Sequence, residues 1–161
     1  MKIAFYIGGH TSDKLSSRIG WALIRHTQKG AYGQVTHVEA IHAEHPDGKV
    51  TIVSASLRAK GVRSKVTRLN PLHWLIVDVP QWDVTKSIEL FELTKGQPYD
   101  WRGALATRLP GSHKANAWFC NEWVSEPFLK ESATFGPHHL CAIAMSIGDN
   151  VTVQFFNARS K

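Results

Sequence analysis

Hydrophobic and polar positions change period several times along the chain, and each change marks an element. KIAFYI (2–7) is a short apolar run closed by Gly8 and Gly9, the pattern of a strand. Thr11 or Ser12 then offers a helix N-cap, and Leu15, Ile19, Ala22, Leu23 and His26 follow at helical spacing until Gly30 and Gly33 end the pattern. VTHVEAIHA (35–43) and KVTIVSASL (49–57) flank the turn sequence HPDG (45–48) and predict a hairpin. HWLIVDV (73–79) predicts a further strand that ends at Pro80. Residues 84–95 predict a helix with Val84, Ile88 and Phe91 facing inward and Gly96 as its stop.

In the second half, QPYDWRGALATRL (97–109) reads as a turn into a short helix, LPGSHKAN (109–116) as a polar loop, and Cys120 as the opening of another helix that Pro127 breaks or kinks. GPHHLCAIAMSIG (136–148) predicts a helix entered at Pro137 and left at Gly148, and VTVQFF (151–156) a final strand. Strands come first and helices later. The expected architecture is α+β, a mostly antiparallel sheet packed with helices, in a single domain over residues 1–161.

Composition narrows the class without changing that picture. With 43% hydrophobic and 20% charged residues, and no repeat or biased tract, the chain matches an ordinary globular domain. The MKIAFYIGGH start has too short an apolar run for an export signal, and no stretch approaches the roughly 18 apolar residues of a membrane span, so a cytoplasmic location is expected. Delivery to a cell wall would then require lysis. Two cysteines, Cys120 and Cys141, are too few for a disulfide framework, and each needs its own account. The net charge of +6 favours an anionic partner, whether nucleic acid, anionic lipid or an acidic wall polymer. Basic residues are nonetheless spread along the chain, densest from Arg58 to Arg68, and no nucleic-acid motif accompanies them.

The chemistry concentrates in two segments. WFCNEWV (118–124) places Cys120 in the first turn of its helix, where unpaired backbone amides and the helix dipole favour a thiolate. THVE (36–39) places His37 and Glu39 on one face of a strand, with Cα atoms ~6.6 Å apart, within reach for the carboxylate to orient the imidazole. A thiol and an imidazole from distant segments are the minimum for nucleophilic catalysis. The competing accounts are a buried apolar cysteine and a solvated strand face. Tyr99 in PYDW is either an oxyanion donor or a packing residue, and Trp118 is a core or pocket wall. Cys141, in the apolar run LCAIAM, reads as core. HVE also resembles the start of a zinc deaminase motif, but no P-C-x-x-C pair, HExxH or CxxC completes a site, so no metal and no cofactor is expected.

THVE, the strand carrying Ser54 and Ser56, the Gly61–Val62 pair, YDW (99–101) and FCNEWV (119–124) together resemble the permuted papain-like branch of the NlpC superfamily of cysteine peptidases and amidases, related also to lecithin retinol acyltransferase. Papain-type enzymes run cysteine then histidine; members of this branch carry histidine on an early strand and cysteine on a later helix. The resemblance implies a circularly permuted papain-like fold with Cys120 as nucleophile, His37 as general base, Glu39 as orienting residue and Tyr99 as oxyanion donor or pocket wall. In some relatives the orienting residue lies on the next strand, which here nominates Ser54 or Ser56. Asn121 stands where many relatives have serine. The implied activity is hydrolysis of an amide in a peptide or wall peptide through a thioester. Transfer of the acyl group to an alcohol or amine uses the same residues, and a non-catalytic basic binding protein on the same fold is the alternative from another class.

Overall fold

The computed structural model describes residues 1–7, 32–105, 116–129, 136–148 and 150–152. The helix expected between Thr11 and Gly30, most of the LPGSHKAN loop and the strand residues after Thr152 lie outside the described residues. The strands are β1 (Lys2–Ile7), β2 (Val35–Glu44), β3 (Val50–Ser56), β4 (Gly61–Thr67) and β5 (Trp74–Asp78), with a three-residue β6 (Asn150–Thr152). They form one sheet in the order β4-β3-β2-β1-β5-β6, every neighbouring pair antiparallel. The described helices are α1 (Val84–Thr94), α2 (Trp101–Leu105), α3 (Cys120–Ser125) and α4 (Pro137–Ile147). The result is an α+β domain, five antiparallel strands with a short sixth at the edge, packed with four described helices.

β1 lies at the centre because neither of its faces can be left in water: Ile3, Ala4 and Phe5 are all fully buried. On the main core Ile3, Phe5, Val38, Ala40, Val53 and Val77 of the sheet meet Trp123 and Val124 of α3 and Leu140, Cys141 and Ala144 of α4. Burying each of the large side chains contributes roughly 1.5–3 kcal/mol. A smaller cluster of Ala4, Ile41 and Ile52 is flanked by Leu69, Trp74 and Ile76. No helix among the described residues is long and apolar enough to cross a membrane.

Two features depart from the sequence expectation. The basic stretch after Lys60 is a strand, β4, in which Val62 is buried and Ser64, Lys65 and Val66 are exposed. Its charges obscure the strand pattern, yet charged residues suit an edge strand, where they discourage pairing with other chains. The second correction concerns Ile88 of α1: Phe91 packs against the core as expected and Val84 is half-buried, but Ile88 does not face inward. Ile88 is 41% exposed, whereas Ser87 and Thr94 are buried. Polar contacts decide the rotation: Ser87 Oγ lies 2.9 Å from His42 Nε2 on β2, and Thr94 Oγ1 accepts from Trp123 Nε1 at 2.8 Å on α3. Hydrophobic spacing alone cannot register buried polar groups that must find partners.

After α1 the chain returns to the sheet along its outer edge. Gly96 takes φ +81°, a left-handed conformation suited to glycine, and ends the helix. Its N–H donates to the Val62 carbonyl, the Val62 N–H donates to Gln97, and the Tyr99 N–H donates to Lys60, so residues 96–99 run beside β4. Gly61 permits this approach, because a Cβ there would lie 2.2 Å from the Gln97 carbonyl oxygen. Gly61→Ala is therefore expected to lower unfolding stability by about 1–3 kcal/mol in urea titration. A loss below about 0.5 kcal/mol, within the range of an ordinary surface change, would contradict the close approach.

Candidate active site

The ladder between β2 and β3 begins at Glu44 and Val50 and stops at Ala40 and Val53. His37 and Glu39 on β2, and Ser54 on β3, lie beyond its last rung. α3 packs against both strands. Ser54 Oγ donates to the Ala55 carbonyl at 3.2 Å and to the Cys120 carbonyl at 3.5 Å, while Cys120 acts electrostatically on the His37 ring. The nucleophile candidate thus meets the sheet where its two strands separate.

Local sequence explains how α3 starts there. Asp100 caps α2 by accepting the Gly103 N–H at 2.9 Å, and its own N–H donates to the Trp118 carbonyl. The Trp118 N–H donates to Pro98, and Trp118 Nε1 donates to Gln97 Oε1 at 2.6 Å. Phe119 is extended, and its N–H points to Glu122 Oε2 at 3.4 Å, the return half of a capping box. Cys120 then opens a helix of six residues, all of them buried. Pro127 does what its ring requires: the helix ends at Ser125 and the chain turns.

His37 Nε2 lies 2.8 Å from Glu39 Oε1, joining residues two apart on the strand. Glu39 is 1% exposed and His37 20%. Both Glu39 oxygens are also held by Arg63 of β4, through Nη1 to Oε2 at 2.7 Å and through Nη2 to Oε1. Arg63 is the rung partner of Ser54, so it reaches Glu39 from two strands away. Burial opposes charge on the His37 ring. The Glu39 carboxylate, hydrogen-bonded to the ring, and then Cys120 outweigh it and hold the His37 pKa at about 10. Burial likewise opposes charge on Glu39, but His37 and Arg63 keep its pKa below the ordinary carboxylate value.

The remaining candidates sit around this line. Burial, then the charges of Cys120 and Asp100, push the Tyr99 pKa well above 10, so its phenol keeps its proton and can donate. Trp118 is half-buried beside it, joined through the bridge between Tyr99 and Trp118. Ser56 is buried and pairs with Gly61, the close-approach glycine. Glu39, rather than Ser54, is the side chain bonded to the His37 ring, the Ser54 bonds being to carbonyls. Cys141 is fully buried in the core, its pKa raised to about 12 by desolvation. No cluster of three metal-ligating side chains occurs among the described residues.

Sequence patterns do not single out Arg63 or Glu122. Glu122, in the first turn of α3, has a pKa pushed up to about 7, chiefly by burial and further by Asp100 and Glu126, against the pull of the Phe119 N–H. Nothing local marks Arg63 within a basic run; only strand register connects it to Glu39. Comparison with protein families, curated proteins and solved structures finds no match to the chain.

These shifts give a signed pH dependence. His37 is raised from 6.5 to about 10, so its stabilising contribution is complete below 6.5 and disappears as pH rises towards 10. The stability advantage of wild type over His37→Gln should shrink by more than about 1 kcal/mol between pH 6 and pH 10 in paired urea titrations. A constant difference over that interval would contradict the ion pair.

Proposed function

We propose that this chain is a thiol hydrolase that cleaves an amide bond in a peptide or wall peptide through a thioester at Cys120, on a circularly permuted papain-like fold of the NlpC type. The observation that carries the reading is the line from Cys120 to the His37 ring it acts on, and from that ring to Glu39 by a hydrogen bond, assembled from a helix and a strand distant in sequence. Its supports are the buried carboxylate behind the imidazole and the neutral phenol of Tyr99, on which the charge of Cys120 acts.

The Cys120 thiolate attacks the amide carbonyl carbon, and the carbonyl oxygen gains the displaced electron pair. Tyr99 is a candidate donor to that oxyanion. His37, whose Nδ1 is the ring nitrogen not engaged by Glu39, passes its proton to the leaving nitrogen as the C–N bond breaks. The thioester remains. Neutral His37 then takes a proton from water as the water oxygen attacks the thioester, and the C–S bond breaks to return the thiolate. Trp118 walls the pocket in this reading, and the net charge of +6 suits an anionic substrate or partner. An alcohol or amine in place of water would make the same residues an acyltransferase.

Site-resolved alkylation by iodoacetamide near pH 6, read by mass spectrometry, tests the proposal with Cys141 as internal control. Cys120 should label at least ~100-fold faster than Cys141, and His37→Ala should remove most of that difference. Slow labelling of both thiols, independent of His37, would instead favour a non-catalytic binding protein. Cys120→Ala should also abolish trapping of a thioester by an acyl probe. Added amines or alcohols that yield a transfer product would assign acyl transfer rather than hydrolysis.

A further inference from the structure

Glu39 is the most deeply buried charged group in the site, and His37 cannot be its only partner. During the proposed cycle His37 is protonated at one stage and neutral at another. When the ring is neutral, a carboxylate with 1% exposure would be left as an isolated charge, which is strongly unfavourable. Arg63 meets that need. Its guanidinium engages both Glu39 oxygens in the fork geometry that arginine and carboxylate share, and its own side chain is 22% exposed, so the cation keeps some contact with water. It is anchored on β4, through the rung with Ser54, independently of the strand that carries His37.

We propose that Arg63 is a positioning residue: it keeps Glu39 ionised and aligned whether or not His37 carries a proton, and so allows the imidazole to act as a base in thioester hydrolysis. The inference rests on the Cys120 and His37 reading above. Oε1 of Glu39 is shared by Arg63 and His37, so the two cations are close neighbours across one carboxylate. Arg63 thereby weakens the hold of Glu39 on the His37 proton. Removing the guanidinium leaves the carboxylate to His37 alone and makes the ring harder to deprotonate.

Once Cys120 is acylated its sulfur is neutral, and Cys120→Ala reproduces that charge state. In this background the His37 ring is titrated by NMR with Arg63 intact, with Arg63→Met and with Arg63→Lys. Arg63→Met should raise the His37 pKa by about one unit, leaving ~10-fold less neutral ring near neutral pH. Arg63→Lys, which keeps the charge and loses the fork, should recover most of that shift. An unchanged His37 titration in folded Arg63→Met would overturn the proposal. Should that variant unfold, Arg63→Gln carries the same test, and unfolding of both would make the ion pair a folding element only, which also overturns it. Failure of the underlying reading looks different: Cys120 in the otherwise wild-type protein would lack His37-dependent alkylation, whatever Arg63 does to the ring.

Discussion

A carboxylate with 1% exposure, close to the middle of a sheet, must be compensated where it stands. Glu39 lies on β2 opposite Ala4 of the central strand, a fully buried alanine, and solvent cannot serve it there. Its partners therefore dictate much of the surrounding structure. His37 is supplied by the two-residue period of the same strand, and Arg63 by the register that places it opposite Ser54 on β3. A slip of one residue between β3 and β4 would send Arg63 to the other face and leave Glu39 with the imidazole alone. The register of the edge strand is thus tied to the electrostatics of the interior.

The cysteine is held by a different set of constraints that converge on the same place. Gly61 admits residues 96–99 to the edge of β4, and the bridges through Pro98, Tyr99 and Trp118 carry the chain to Phe119 and Cys120. Trp123, fully buried, is bonded through its indole to Thr94, and Thr94 Oγ1 donates to the Leu90 carbonyl at 2.7 Å. α3 is thereby fastened to α1 as well as to the sheet. α1 in turn is fastened to β2 through Ser87 and His42. His42 packs against Phe91 and Trp123, and burial lowers its pKa to about 4. It remains neutral and structural at neutral pH, the opposite of His37 five positions earlier on the same strand. Charged partners make the difference between the two rings.

Local patterns in the sequence carry the elements whose apolar periods are uninterrupted: β1, the hairpin of β2 and β3, β5, and α4 between Pro137 and Gly148. They also carry the His37 and Glu39 pair, because two positions on a strand are neighbours whatever the fold, and the start of α3 at Cys120. What they cannot carry is anything decided by a partner distant in sequence. The rotation of α1 follows from Ser87 and Thr94, whose partners are a histidine on β2 and a tryptophan on α3. β4 is polar over half its length, since an edge strand needs little apolar surface, and so its pattern resembles a charged loop. In the sequence Arg63 is only one of several basic residues.

The interior charges also limit what the site tolerates. Arg63, Glu39 and His37 form an alternating row, and Cys120 acts on the same ring. Arg63 and His37 both favour the ionised state of Glu39, and Glu39 favours that of His37, so a proton removed from the ring is felt at the carboxylate. Glu122, two residues beyond Cys120 and with its pKa near 7, lies outside that row but close to Asp100, which also acts on Tyr99. α3 brings the cysteine against the sheet. Its six residues position the sulfur, and the side chains of β2 and β4 supply the charge around it.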